Sequence, residues 1–249
     1  MKIVEPILFV KLTERPDLKE RMQALELEAY PAFFEGQTTY YEAMERLGDA
    51  VSHLKLAVID KNDQLLAGAE AVALTWNGID EDLPEGYDVA LQRAITVKEK
   101  GIQPDTICLV NLMVSEAARG RRLTVKLMQA FWDSEPGFKP RALIGNIRGA
   151  RKHEHPTTPI SEYTAWTNDD GKAYDPWIRS FMDAGARLGP VVDETLTITS
   201  SLENWSKWTG VEFPKNGDYI IPMGLAPLRV DRERNEGRYV EPGVWIIME

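Results

Sequence analysis

Hydrophobic positions along the chain fall into two rhythms, one spaced for helices and one for strands. Ile3 to Lys11 is mostly apolar and reads as a first strand. Pro16-Asp17 then opens a stretch in which Leu18, Met22, Leu25 and Ala29 recur at three- and four-residue spacing, which predicts a helix. Pro31 should stop it, because the residue before a proline is driven out of helical dihedrals. Tyr41, Met44, Leu47 and Val51 mark one face of a second helix over about 39–54. Leu56 to Asp60 and Leu65 to Trp76 flank a polar four-residue turn, the pattern of a β-hairpin. An acidic, Pro- and Gly-containing stretch leads into a helical pattern from Val89 to Lys98. Thr106 to Val114 is apolar on both faces except at Asn111, as expected of a central strand covered on both sides.

Beyond it, Leu123, Leu127, Met128 and Phe131 define a helix, and Arg141 to Ile147 the next strand. A long polar connection over 148–173 follows. Asp175-Pro176 then supplies an N-cap and a first-turn proline, and Gly185 a C-terminal stop. Val191 to Thr199 alternates like a strand, Ser201 to Trp208 is a short helix, and turns at 215–217 and 235–237 mark a β-rich tail. Pro222, Pro227 and Pro242 point to edge strands in that tail.

Composition changes this picture little. The 249 residues include 43% hydrophobic and 27% charged side chains, enough for a core and ordinary for a globular chain. The longest apolar candidate, Ile107 to Val114, is far short of the ~20 residues of a membrane-spanning helix. No signal-peptide pattern opens the chain, so a cytoplasmic location and no membrane partner are expected. A lone Cys108 rules out an intrachain disulfide and thiolate zinc sites. The net charge of −10 argues against nucleic acid as a partner.

The informative unit is Arg119-Gly120-Arg121-Arg122-Leu123-Thr124, between the strongest strand and a helix. A helix N-terminus exposes unpaired N–H groups and the positive end of the helix dipole, so it suits a diphosphate. Gly120 lets backbone approach closely, and three arginines add local positive charge to an acidic chain. Taken without its context, such a loop reads as a surface turn with solvated arginines.

In context, the order of elements resembles the GNAT (Gcn5-related N-acetyltransferase) superfamily over roughly residues 3–200. Leu112-Met113-Val114-Ser115 matches the family's usual strand end and Arg119-Gly120 its usual Arg-Gly, while 175–186 resembles the helix that ends in Gly-Ala. Tyr163-Thr164-Ala165-Trp166, Asp170-Gly171, Asp175-Pro176-Trp177, Trp208-Thr209-Gly210 and Tyr239 to Pro242 are similar to a less characterised bacterial GNAT-like subgroup. The resemblance implies an α/β (α+β) fold with a mixed central sheet flanked by helices. A GNAT-like domain would cover 1–200, with a C-terminal β-rich extension over 201–249 packed on it.

The implied activity is direct acetyl transfer from acetyl-CoA to the amine of a small molecule. Acyl-CoA decarboxylation or acyl loading, or a non-catalytic CoA-binding module, are the alternatives. Leu112, Met113 and Val114 would pair with the pantetheine arm, an amide there would polarise the thioester, and Arg119 to Thr124 would hold the diphosphate.

Two departures stand out. Arg122 and Thr124 replace the loop's usual small residues, and Phe181 occupies the position where many relatives carry a proton-donating Tyr. Tyr163 and Tyr174 are the candidate substitutes, against simple aromatic packing, and Glu70 the candidate base, against an exposed strand carboxylate. His153-Glu154-His155 lacks a third ligand and precedes Pro156, so a solvated loop outweighs a metal site, although either histidine could face substrate from a lid. The late tryptophans read as packing before they read as a pocket, and the tail strands are candidates for pairing in a homodimer.

Overall fold

The structure is a computed structural model that describes residues 6–134 and 137–249. The start of the expected first strand, residues 3–5, lies outside them. The chain runs β1 (Ile7–Lys11), α1 (Lys19–Ala29), α2 (Thr38–Leu47), β2 (Lys55–Asp60), β3 (Leu65–Leu74), α3 (Tyr87–Glu99) and β4 (Thr106–Val114). It continues through α4 (Leu123–Trp132), β5 (Ala142–Ile147), α5 (Ile160–Thr164), α6 (Pro176–Asp183) and β6 (Arg187–Ser201). Last come α7 (Leu202–Thr209), β7 (Gly217–Tyr219), β8 (Leu228–Asp231) and β9 (Glu236–Met248). The expected second helix is shorter than its pattern: α2 stops where Gly48 takes φ +50°, and a 3-10 segment carries the chain to Leu54.

One mixed sheet has the order β1-β2-β3-β4-β5-β9-β8-β7, with β6 also on β9. Its strand pairs are antiparallel except β4 with β5. Helices α2, α3 and α7 cover one face over Val72, Cys108, Ile144 and Trp245. Helices α4 and α6 cover the other over Ala71, Ile107, Leu143 and Ile246. Helix α1 packs through Met22 and Leu25 on Ala57, Ile59 and Met113.

Two irregularities create the space that matters. In β4, Asn111 pairs with Glu70 but Leu109 pairs with Ala71, so Val110 is an extra, bulged residue. A bulge switches the in-out alternation of its strand. Ile107 and Leu109 therefore join the α4 side before it and Leu112 after it, while Met113 joins α1. Second, β4 and β5 pair only as far as Leu109 and Gly145, although β4 continues to Val114 and β5 to Ile147. The two strands part there.

Strand β9 meets β6 along its length, while its other neighbour changes from β8 at Tyr239 to β5 at Val244. Pro242 is thus inside a paired strand, contrary to the edge position expected of it. It is tolerated because the β6 register jumps between Val192 and Leu196 opposite this point, so no ladder bond is demanded of its missing N–H.

Candidate active site

The parting of β4 and β5 opens a cavity of about 740 Å³. It threads the sheet, lined on one face by the α4 corner and α6, and on the other by α1, α2 and α3.

At the α4 end, the chain leaves β4 through Ser115, turns at Arg119 and Gly120, and enters the helix through Arg122. Gly120 has φ +77°, and nothing lies within 4 Å of where its Cβ would be, so backbone conformation rather than crowding calls for glycine. Arg122 is itself left-handed at φ 58° and caps α4 without a side-chain hydrogen bond. The first helical bond runs from the Lys126 N–H to the Arg122 carbonyl at 3.4 Å. The amides of Leu123, Thr124 and Val125 are thus left for an outside acceptor. Arg119, Gly120, Arg122, Leu123 and Thr124 line the cavity, whereas Arg121 does not. A helix end so exposed, ringed by guanidinium groups, fits a phosphate-bearing ligand.

At the gap itself, Leu112, Met113 and Val114 all line the cavity. The Leu112 N–H and carbonyl turn away from β3 and meet the Tyr30 hydroxyl, at 3.5 and 3.3 Å. On the α6 side, Phe181 is fully buried and forms an apolar wall with Trp177, ring centroids 5.7 Å apart. The Asp175 cap is as the sequence implies, its side chain accepting from the Trp177 and Ile178 amides at 2.9 and 3.2 Å.

The opposite end is polar and aromatic. Glu26, Tyr30, Phe34, Gln37, Tyr40 and Tyr87 line it. Glu26 is half-buried beside the Asn111 side chain. Desolvation, reinforced by the neighbouring Glu70 charge, holds its carboxyl above the usual range. Arg148, just past β5, donates from Nε and Nη2 to the two oxygens of Glu241 at 3.0 and 3.2 Å, and its guanidinium lies 5.0 Å from the Phe34 ring centre. Glu241 also accepts from the Tyr239 hydroxyl at 2.7 Å. Gly243 is required beside it, because a Cβ there would sit 2.0 Å from the Asn146 amide oxygen. Asn111 Oδ1 and Asn146 Nδ2, one from each parted strand, are buried with no hydrogen-bond partner among the described residues.

The proposed acid–base residues are placed differently from expectation. Glu70 is not an exposed carboxylate and does not line the cavity. It is buried behind Tyr40, accepts that hydroxyl, and pairs with Lys55 at 3.3 Å. The bulge at Val110 and the covering α2 explain this, since neither shows in the alternation of β3 alone. Tyr163 donates to Asp175 at 2.6 Å, and burial followed by that carboxylate pushes its hydroxyl pKa up. Tyr174 stacks on the Arg151 guanidinium at 4.8 Å. Neither tyrosine lines the cavity, and both instead pack in a cluster with His155 and Trp166. Of the two histidines, His153 reaches the cavity. Among the described residues no group of three or more His, Cys, Asp or Glu could hold a metal ion, and no helix is long and apolar enough to cross a membrane.

A parallel strand pair that parts beside an open helix N-terminus, within a mixed sheet of this order, defines the GNAT fold. Among solved structures, the loading GNAT-like domain of CurA from Lyngbya majuscula superposes with TM-score 0.56 at 12% identity, covering 98% of this chain and 96% of that one. The GphF GNAT-like decarboxylase in complex with isobutyryl-CoA gives 0.56 at 13%, covering 97% of each. A scan against family models gives no match. In sequence, the arginine N-acetyltransferase avaD of Aspergillus versicolor is 27% identical over 187 residues, 67% of this chain and 64% of that protein. The chain thus spans just under two thirds of the length of this relative. The chain has the GNAT fold and is similar in sequence to that acetyltransferase.

Proposed function

We propose that the chain is an acyl-CoA-dependent N-acyltransferase that passes acetyl from acetyl-CoA to the amine of a small molecule. The observation that carries this is the gap between β4 and β5, which joins an anion-binding corner on one face of the sheet to a carboxylate-bearing aromatic chamber on the other. Donor and acceptor can therefore enter from opposite faces and meet at Leu112. The residues present fit the donor. Arg119, Gly120, Arg122, Leu123 and Thr124 would hold the diphosphate, with Arg121 adding charge from outside the cavity, and the open edge of Leu112, Met113 and Val114 would pair with the pantetheine amides.

When bound, acetyl-CoA supplies an activated acyl carbon. The protein's part is to orient it, polarise its carbonyl through the Leu112 N–H, and accept the proton that the attacking nitrogen releases. We assign that last role to Glu26, which faces the cavity, with Glu70 as a buried charge behind it that raises Glu26's proton affinity. The similarity to an arginine N-acetyltransferase makes arginine the first amine to try. A cytoplasmic setting goes with the acyl-CoA supply. We read 201–249 as an extension on the 1–200 acyltransferase unit, one that lends Glu241 to the acceptor chamber and offers the terminal edge of β7 to a second subunit. Calorimetry with acetyl-CoA, followed by thiol release with arginine, agmatine and neutral amines, tests the reading. Malonyl-CoA serves as a control for decarboxylation. Absence of acetyl-CoA binding would overturn the assignment.

A further inference from the structure

We propose that the Tyr30 hydroxyl is a catalytic hydrogen-bond donor to the acyl oxygen, acting beside the Leu112 amide at the strand gap. This rests on the acyl-transfer reading above and adds a donor that neither the sequence motif nor the open strand provides.

The placement begins with local sequence. Pro31 forbids Tyr30 a helical conformation, and Tyr30 accordingly takes φ −112° and ψ 151° as the C-cap of α1. Its N–H still closes the last turn on the Glu26 carbonyl at 3.0 Å. The break swings the ring off the helix and onto Phe34, with ring centroids 5.2 Å apart. The hydroxyl thereby reaches Leu112, where it contacts N and O at 3.5 and 3.3 Å. Glu26, four residues earlier, meets the side chain of the preceding β4 residue, Asn111. The end of α1 thus lays a phenol and a carboxylate on consecutive residues of the parted strand.

Both contacts of the hydroxyl with Leu112 are long for hydrogen bonds, and little is lost by exchanging them. An oxygen entering the gap to accept the Leu112 N–H would find the Tyr30 O–H converging on the same space. Burial pushes the Tyr30 hydroxyl up to about 12, so it stays protonated at neutral pH and suits a donor that keeps its proton. Phe181 supplies no hydroxyl from the α6 wall, so the donor comes from the opposite wall.

The step balances without a further reagent. The amine nitrogen forms a bond to the acyl carbon as the carbon–sulfur bond breaks. The nitrogen's proton leaves to Glu26 and thence to solvent. Sulfur departs as thiolate and is protonated from solvent. Tyr30 stabilises the charge that builds on the acyl oxygen and loses nothing.

The test uses the full chain and acetyl-CoA labelled with carbon-13 at the carbonyl, read by isotope-edited infrared spectroscopy, so that no acceptor need be known. Bound to wild type, the carbonyl band should fall below its position in free acetyl-CoA. In Tyr30→Phe it should move back toward the free position while calorimetric affinity changes little. With the amine that wild type acetylates fastest, kcat should drop about 10²-fold, the usual loss for one such donor. A fluorinated tyrosine at position 30, a stronger donor, should push the band lower still, and this holds the test open should Tyr30→Phe fold poorly. A band unmoved by either change overturns the role of Tyr30. Failure of wild type to bind acetyl-CoA instead overturns the acyl-transfer reading, and the two failures are told apart by calorimetry.

Discussion

Glu241 offers the sharpest test of how the acceptor chamber is held together. It is only 2% exposed and accepts three hydrogen bonds, from Arg148 Nε and Nη2 at 3.0 and 3.2 Å and from the Tyr239 hydroxyl at 2.7 Å. Changing Glu241→Ala leaves a guanidinium with the Met223 carbonyl at 3.3 Å, the Phe34 face and whatever water can enter. Breaking a buried pair by removing one partner typically costs about 3–5 kcal/mol. The Arg148 side chain is 22% exposed, so water recovers part of that and the low end, about 3 kcal/mol, is expected. For a chain of this size that lowers Tm by roughly 6–12 °C. Replacing both partners, as Arg148→Met with Glu241→Leu, removes the orphaned charge and should return most of the loss, to within about 1 kcal/mol of wild type. Urea unfolding followed by tryptophan fluorescence measures Glu241→Ala beside the four corners of the cycle made by Arg148→Met and Glu241→Leu. A Glu241→Ala cost below about 1 kcal/mol, or a double variant worse than the summed singles, would refute the claim that this pair is a closed, desolvated unit.

Two further predictions concern the donor and acceptor ends. Because Glu26 is held above the usual carboxylate range by desolvation and then by Glu70, its working, deprotonated form is reached only above that raised pKa, so kcat/KM should climb with pH through it. The same shift means the folded chain binds this proton more tightly than the unfolded one, so stability from this group is lost as pH rises; Glu26→Gln should therefore unfold at a higher temperature than wild type at neutral pH while losing turnover, and equal turnover would sink its role as proton acceptor. At the other end, Gly120→Ala has room for its Cβ but not the dihedral, so it should cost about 1 kcal/mol by thermal melting and weaken acetyl-CoA binding in calorimetry, whereas unchanged affinity would count against the diphosphate corner.

What the sequence made legible were features whose physical cause is local. The Asp175-Pro176 start of α6, the apolar β4 and the Arg119–Thr124 corner each announce themselves within a few residues, and each stands where expected. The extra residue at Val110 left no local mark, because a bulge is a relation between two strands, and it was the bulge and the cover of α2 that hid Glu70. Glu241 was out of reach for a similar reason: it enters the cavity because β9 pairs with β5 across about a hundred residues of chain, and neither strand encodes that pairing alone. Tyr30 is the instructive intermediate case. Its signal was present as Glu26 followed four residues later by Tyr30 and then Pro31, a carboxylate and a phenol on one helical face with a terminator behind them. On sequence alone that pattern marks only the end of a helix. Yet a terminator also dictates where the last side chain goes, and here it sends a hydroxyl onto the backbone of a strand that has parted from its neighbour. A helix-ending proline next to a polar aromatic residue therefore carries positional information about a site as well as about the helix that it closes.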